Sequence, residues 1–434
     1  MEIWHKICLI VRKSFIWIKG YVHWKRKQLQ RILRKHIDWY DSKVTIEDAK
    51  RLWNLNKKRC FKDISGIREF CVREGIRYQT IKEKEISYVV SPEYFEGDAR
   101  VISTYECPSI YIAQLQRVSV YGYSELITVG KTALSDAYMM DKDQGRYKID
   151  GGSLVKCRNG KYILAVYRES NLVIDKAISM LGWCADNYYH FTFEIISRLV
   201  FADQFEEYRT WPILIDQCVL EIVQLRDLLD SMNIYRHPII SVKARERVEI
   251  KNLLYVSYNM WMPHNFRENV KQYPSDYLFS TTVVLNIRNY VYRRLQPQCG
   301  GIGTKIFLSR RKCKNQRLLN AEEVERCFKE NGFGIVYPEE LSFEEEVRVF
   351  QRAEVIVGPT GAALTNVVYC KEGTLIAVIA PLSHKSYFFS NIAYMVGAKF
   401  MLLGADMVFK GMAESMDTFC LDMDKCRRFL NRLK

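Results

Sequence analysis

The chain has 434 residues, 48% hydrophobic and 26% charged, with 22 glycines and 10 prolines. That excludes a disordered or low-complexity protein and leaves room for two or three domains with their own cores. The 13 cysteines are scattered without a C-x-x-C pair, and no N-x-[ST] acceptor occurs, so zinc-ribbon and disulfide-scaffold classes find no support and a reducing, cytoplasmic compartment is expected. Net charge is +15, but ten Lys/Arg against Glu2 alone put +9 of it in residues 1–36.

In that first segment Trp4, Ile7, Cys8, Val11, Phe15, Ile18 and Val22 recur at helical steps, with Lys and Arg over much of the rest. Arg12 and Lys13 leave the apolar run too short to span a bilayer, and no small-residue cleavage site marks a secretory signal. Residues 1–40 are therefore expected to form a basic amphipathic helix, lying on an anionic membrane surface through residues 1–36. A helix packed on the body with a solvated basic face is the alternative. No nucleic-acid reader motif accompanies the charge, and no nucleic-acid partner is expected.

Residues 37–85 read as polar and helical. From Ile86 to Tyr167 the period shortens: Ile86–Val90, Ser109–Ala113, Val118–Tyr121, Glu125–Val129 and Tyr162–Tyr167 read as strands between glycine turns. This β-rich subdomain holds no cluster that suggests chemistry.

The stretch from Tyr188 to Phe205 then has helical periodicity, with Asp186 or Asn187 as its N-cap. Asp186, His190 and Glu194 follow at i, i+4, i+8 and share one face if all three are helical. A histidine flanked by carboxylates can serve as a general base, because a carboxylate fixes its tautomer and supports its protonated form. A structural histidine satisfied at a helix start fits the same pattern.

Pro212–Asp216 reads as a buried strand, Val219–Met232 as a helix, and Ile239–Val242 and Asn252–Val256 as further strands. The alternation suggests a parallel sheet flanked by helices. A long helix is expected over Tyr273–Leu295, then a linker at Gln296–Gly303. The implied domains are 1–40, 41–272 (β-rich about 86–167), a connection at 273–303, and 304–434.

A second alternation follows the linker. Lys305–Ser309, Phe333–Tyr337, Glu354–Val357, Leu375–Ile379 and Phe400–Leu403 read as strands; Ala321–Asn331 reads as a helix with Asn320 as N-cap, and Ser342–Ala353 as a helix whose Ser342 and Glu345 have capping-box spacing. Gly358-Pro359-Thr360-Gly361 then breaks the chain before Ala362–Tyr369. A strand, a tight turn and a helix start leave backbone N–H groups unpaired at a positive helix end, which suits a phosphate; an ordinary strand-to-helix corner reads the same. Arg310, Arg311 and Arg317 follow the first strand of this half, at the sheet edge where open α/β sheets bind ligands. Arginines beside a helix start make a strong anion site.

The run from Ile306 to Ile379, with RAEVIVGPTGAALTNVVY at its centre, resembles glycosyltransferase family 61, and so does NYYHFTFEIISRL upstream. The resemblance covers about 150–430. It implies an α/β fold of GT-B type, a pair of Rossmann-like domains facing across a cleft: the acceptor on the 41–272 side, the nucleotide-sugar donor mainly on 304–434. It also implies inverting transfer, from a nucleoside-diphosphate sugar such as a UDP-sugar to a glycan or lipid-linked acceptor; because the arginines and backbone N–H groups could stabilise the leaving diphosphate, metal-independent transfer without a cofactor is expected. In a bacterial surface-glycan branch the products would be capsule, lipopolysaccharide or exopolysaccharide, made at the inner face of the plasma membrane. His190 is the expected base with Glu194 or Asp186 orienting it, or Asp186 acting directly. Arg310, Arg311, Arg317, Thr360, Gly361 and Ala362 are expected on the diphosphate, with Asn187, Asn320, Glu340, Ser342, Thr365 and Asn366 elsewhere in the donor site. Asp141-Lys142-Asp143 matches the letters of a metal-binding D-x-D but falls in a polar turn, and no metal site is expected. One departure stands out: the family pattern G-x-H-G-A-G-L-T-N has His where this chain has Thr360, and Gly where it has Ala363. A non-catalytic relative that binds a glycan or a partner is the alternative function.

Overall fold

The structure is a computed structural model that describes residues 57–434 except 142–144, 148–150, 159–161, 259, 264–265, 267–269, 271–272, 274–275, 296–303, 314, 385–386 and 411–416. The basic segment 1–40, the linker Gln296–Gly303 and most of Asp141-Lys142-Asp143 lie outside the described residues.

The chain builds a mixed α/β structure around two large sheets. In the first, Ile239–Val242, Ile213–Asp216, Tyr162–Met180 and Glu246–Val256 lie side by side in parallel. Ile213, Leu214 and Ile215 are fully buried, as expected for a parallel strand covered on both faces. Ile110–Tyr121 pairs antiparallel with Glu246–Val256, and the sheet continues through Ile127–Val129, Thr132–Leu134 and Asp63–Ser65. The sequence reading divides what are here long strands. Ser109–Ala113 and Val118–Tyr121 are one strand, and Tyr162–Tyr167 runs on to Met180. The polar residues between the apolar runs, such as Gln114 and Gln116, sit in the ladder opposite Leu254 and Asn252.

The second sheet places Gly334–Val336, Lys305–Leu308, Val355–Pro359, Leu375–Pro381 and Lys399–Phe409 in parallel order. Glu93–Tyr94, from the β-rich region, joins it beside Met401 and Leu402. The neighbouring ribbon of Glu85–Val90 and Ile102–Cys107 leans on the helix Tyr387–Met395, where the Val90 N–H donates to Asn391 Oδ1 at 2.6 Å. One apolar cluster runs through both halves, from Ile178, Ile215 and Leu254 to Ile306, Ile356 and Val378.

The helices depart from the sequence reading in informative ways. Tyr188–Phe205 is not one helix. An α-turn at Tyr188–His190 passes into a π-helical turn at Phe191–Ile195, a 3-10 turn at Ile196–Arg198 and an α-turn at Leu199–Ala202. Thr192 and Ser197 donate their hydroxyls to the carbonyls of Tyr188 and Phe193, each at 2.6 Å, and such back-bonding bends helices. The helix expected from Val219 breaks at Ile222, whose backbone is extended. The one expected from Tyr273 starts at Thr281, capped by Ser280. The Ser342–Glu345 capping box forms as expected.

Candidate active site

Two parallel strands of the first sheet end next to each other at Met180 and Asp216. The loop after Met180 leads into Tyr188–His190. Asn187, not Asp186, is the cap: its Oδ1 accepts the Tyr189 N–H at 3.0 Å. His190 is 7% exposed, and its Nδ1 lies 2.7 Å from Glu194 Oε2. The other carboxylate oxygen of Glu194 accepts the Met262 N–H at 2.7 Å. A carboxylate only accepts, so Nδ1 carries the hydrogen and the lone pair falls on Nε2. That is the tautomer a general base needs. Asp186 does not join the pair; its exposed side chain accepts the Tyr123 hydroxyl.

On the second sheet the corresponding edge carries Ser309–Arg310 after one strand and Thr360–Ala362 after its neighbour. Gly358 lies so close to this neighbour that an added Cβ would come 2.7 Å from the Leu308 carbonyl oxygen. At Gly361 a Cβ would fall 1.8 Å from Arg310 Nη1. The guanidinium therefore rests on the glycine, at the opening of the 3-10 helix Ala362–Tyr369. The Thr360 N–H is spent on the Ile379 carbonyl at 3.1 Å, so it leaves the expected cradle. The N–H groups of Gly361, Ala362 and Ala363 open the helix, where the helix itself supplies no acceptor. Arg310 Nε is buried with no partner. The arginine and these N–H groups form a concentrated positive site.

The remaining expected donor residues have internal work. Arg311 pairs with the buried Glu325 at 3.1 Å, and Glu325 also accepts the Ser309 hydroxyl; this carboxylate shapes the loop that carries Arg310. Buried Arg317 donates to the Asp417 carbonyl at 3.2 Å and sits beside His384, whose Nε2 is 2.7 Å from Asp417 Oδ2. Asn320 stands at the N-cap position of the helix from Ala321 as expected, but its side chain makes no cap bond and instead holds the backbone of Leu421 through both ends of its amide. Glu340 pairs with Lys312 at the surface, and Ser342 is occupied by its capping box. Thr365 and Asn366 are fully buried. The hydroxyl of Thr365 has no partner, whereas Asn366 accepts from Tyr188 at 2.7 Å and donates to Glu346. The His190 turn thus packs against the helix that follows Gly361.

Several groups escaped the sequence reading. Asp216 is buried and accepts the Gly182 and Tyr123 N–H groups, which fixes the loop leading to His190. Its position at the end of a parallel strand was the available signal. Burial pushes its carboxyl up to about 7. Glu125, also pushed up to about 7 by burial with Glu194 adding to the effect, lines an internal cavity with Asp136, Arg198, Tyr255 and Tyr258. No local pattern marks Glu125, because only the folding of the β-rich region brings it there. The cavity offers about 10 Å³ to the centre of a water, room for one water molecule and not for a sugar.

Residues 188–377 match the family model Glycosyltransferase 61. The matched segment contains His190, Glu194, Arg310 and Gly361. No curated protein matches the chain. Among the described residues no helix is long and apolar enough to cross a membrane. The family carries the general activity, transfer of a sugar to an acceptor. Through residues 188–377, with the histidine pair at one end and the arginine–glycine turn towards the other, the chain is similar to the glycosyltransferase 61 family.

Proposed function

We propose that the protein is an inverting glycosyltransferase that moves a sugar from a nucleoside-diphosphate sugar, UDP-linked in the simplest case, to a hydroxyl of a glycan or lipid-linked acceptor. The parallel strands of the two sheets take the roles of a GT-B pair, with the donor on the 304–434 side. The observation that carries the reading is the pairing of two unlike sites. One is a histidine with its lone pair on Nε2; the other is an anion seat built from Arg310 and a helix start.

In this mechanism the acceptor hydroxyl attacks the anomeric carbon from the face opposite the diphosphate. Its proton passes to His190 Nε2 as the C–O bond forms, and Glu194 stabilises the resulting imidazolium. The bond to the diphosphate breaks with its electron pair on the leaving oxygen. Arg310 and the N–H groups at Gly361–Ala363 stabilise that growing charge. These groups supply the positive charge themselves, which supports metal-independent transfer. The basic segment 1–36 supports a peripheral position at the inner face of a bacterial plasma membrane, in synthesis of a surface polysaccharide. Thr360 in place of the family histidine is the specific observation favouring a second reading, a non-catalytic glycan- or partner-binding relative.

Incubation with a panel of nucleotide sugars tests the proposal. The expected result is donor hydrolysis or transfer by wild type and its loss in His190→Ala. Binding of no donor at all would overturn it, and donor binding without turnover would select the second reading.

A further inference from the structure

The turn that carries His190 is only three residues of α-helix followed by a π-helical turn. A helix that short does not hold its own orientation. Side chains must hold it, and two tie it to remote parts of the chain. His190 is tied through Glu194 to the Met262 backbone, which follows the first sheet. Tyr188, two residues earlier, is tied to the second half: its hydroxyl donates to Asn366 Oδ1 at 2.7 Å, and Asn366 Nδ2 donates to Glu346 Oε2. Asn366 is fully buried and Glu346 is 5% exposed. The amide therefore cannot exchange these partners for water, and losing either leaves a buried polar atom unpaired. Glu346 comes from the helix Phe343–Arg352 and Asn366 from the helix that starts at Gly361. One amide therefore joins the histidine turn, the anion turn and a third helix.

We propose that Asn366 is a positioning residue for the transfer reaction. Held by Glu346, it seats the Tyr188 phenol and so sets the His190 imidazole relative to the Arg310–Gly361 turn. It does not touch the donor. The inference rests on the reading of His190 as the base. Base and leaving-group site sit on different halves of the chain, so their relative placement needs a link across the halves, and misplacement on the ångström scale costs rate without weakening donor binding.

The test combines kinetics with an observation that needs no turnover. Tyr188→Phe keeps the ring and removes the donor hydroxyl. Its kcat should fall about tenfold, the effect of ~1.4 kcal/mol on a barrier, with the donor KM within about twofold. Glu346→Leu should behave like Tyr188→Phe, and the double variant no worse than either, because both act through one amide. Glu346→Gln keeps an acceptor for Asn366 Nδ2 and should restore kcat to near wild type. In parallel, the His190 ring resonances, assigned by their loss in His190→Ala, should move in Tyr188→Phe. If kcat and the resonances both stay as in wild type, or if Glu346→Gln is as impaired as Glu346→Leu, the positioning role is overturned. A wild type inert with every donor would remove the reading of His190 as a base, while the resonances of Tyr188→Phe would still decide whether the link sets the imidazole. Should Glu346→Leu fail to fold, Tyr188→Phe and Glu346→Gln carry the decision.

Discussion

The guanidinium of Arg310 lies against the α-carbon of Gly361, where a Cβ would stand 1.8 Å from Nη1. Gly361 has an extended backbone, φ 176°, that any residue can adopt, so the glycine is needed for the seat and not for the turn. Gly361→Ala should therefore displace the arginine, the far end of a flexible side chain, with little effect on melting temperature. UDP affinity should fall roughly 10- to 100-fold, the effect of about 1.5–3 kcal/mol from a lost hydrogen bond to a charged group. Calorimetric titration with UDP reads this directly. Unchanged affinity would separate Arg310 from the donor.

A second prediction concerns Glu194. Its two oxygens accept from His190 Nδ1 and from the Met262 N–H. In Glu194→Gln the backbone N–H keeps the amide oxygen, so the NH2 group faces Nδ1 and the proton moves to Nε2. The base is then in the wrong tautomer. The kcat for transfer should fall about 100- to 10,000-fold, with UDP binding and thermal stability close to wild type. A variant that retains kcat would show that His190 is structural.

How much of this was readable from residues alone differs between the two sites. The strand, turn and helix around Gly361 are a local pattern: a β-branched run, a glycine-proline break and a small-residue segment. His190 and Glu194 also announce themselves, because side chains four residues apart meet whenever the segment is helical. The π-helical turn that actually carries them does not, since it depends on two hydroxyls finding the carbonyls of Tyr188 and Phe193. Arg310, Arg311 and Arg317 look alike in sequence. Only the partners Glu325 and Asp417 assign two of them, exposed Arg311 and buried Arg317, to pairs within the chain and leave Arg310 at the turn. Asn366 looks like a site residue in its motif, and its partners Tyr188 and Glu346 come from remote parts of the chain. Long-range pairing of this kind has no period to read.

Asp216 gives a prediction about the loop before His190. Removing its carboxylate in Asp216→Ala leaves the N–H groups of Gly182 and Tyr123 buried without an acceptor. Each unpaired group costs about 1–3 kcal/mol, so urea unfolding should reveal a loss of about 2–5 kcal/mol, with a smaller loss for Asp216→Asn, which keeps one acceptor. Transfer should fall with it, because the same loop leads to the histidine turn. A loss under about 1 kcal/mol would mean that water satisfies these groups.

The last prediction follows from Glu346. Burial raises its carboxyl from 4.5 to about 8, with the hydrogen bond from Asn366 opposing the rise and Glu339 adding to it. The folded protein therefore keeps this proton up to about pH 8, whereas the unfolded chain releases it near pH 4.5. Stability from this group is fully present below pH 4.5 and is lost as pH rises through 8, by an upper bound of about 5 kcal/mol. Glu346→Gln cannot ionise and preserves the acceptor for Asn366. Its unfolding free energy should exceed that of wild type at pH 9 and approach it at pH 4.5, so the two curves converge on acidification. Paired urea titrations across that range measure the difference. A constant offset between the two proteins would show that Glu346 titrates alike in the folded and unfolded chains, and the buried acid behind Asn366 would then be open to water.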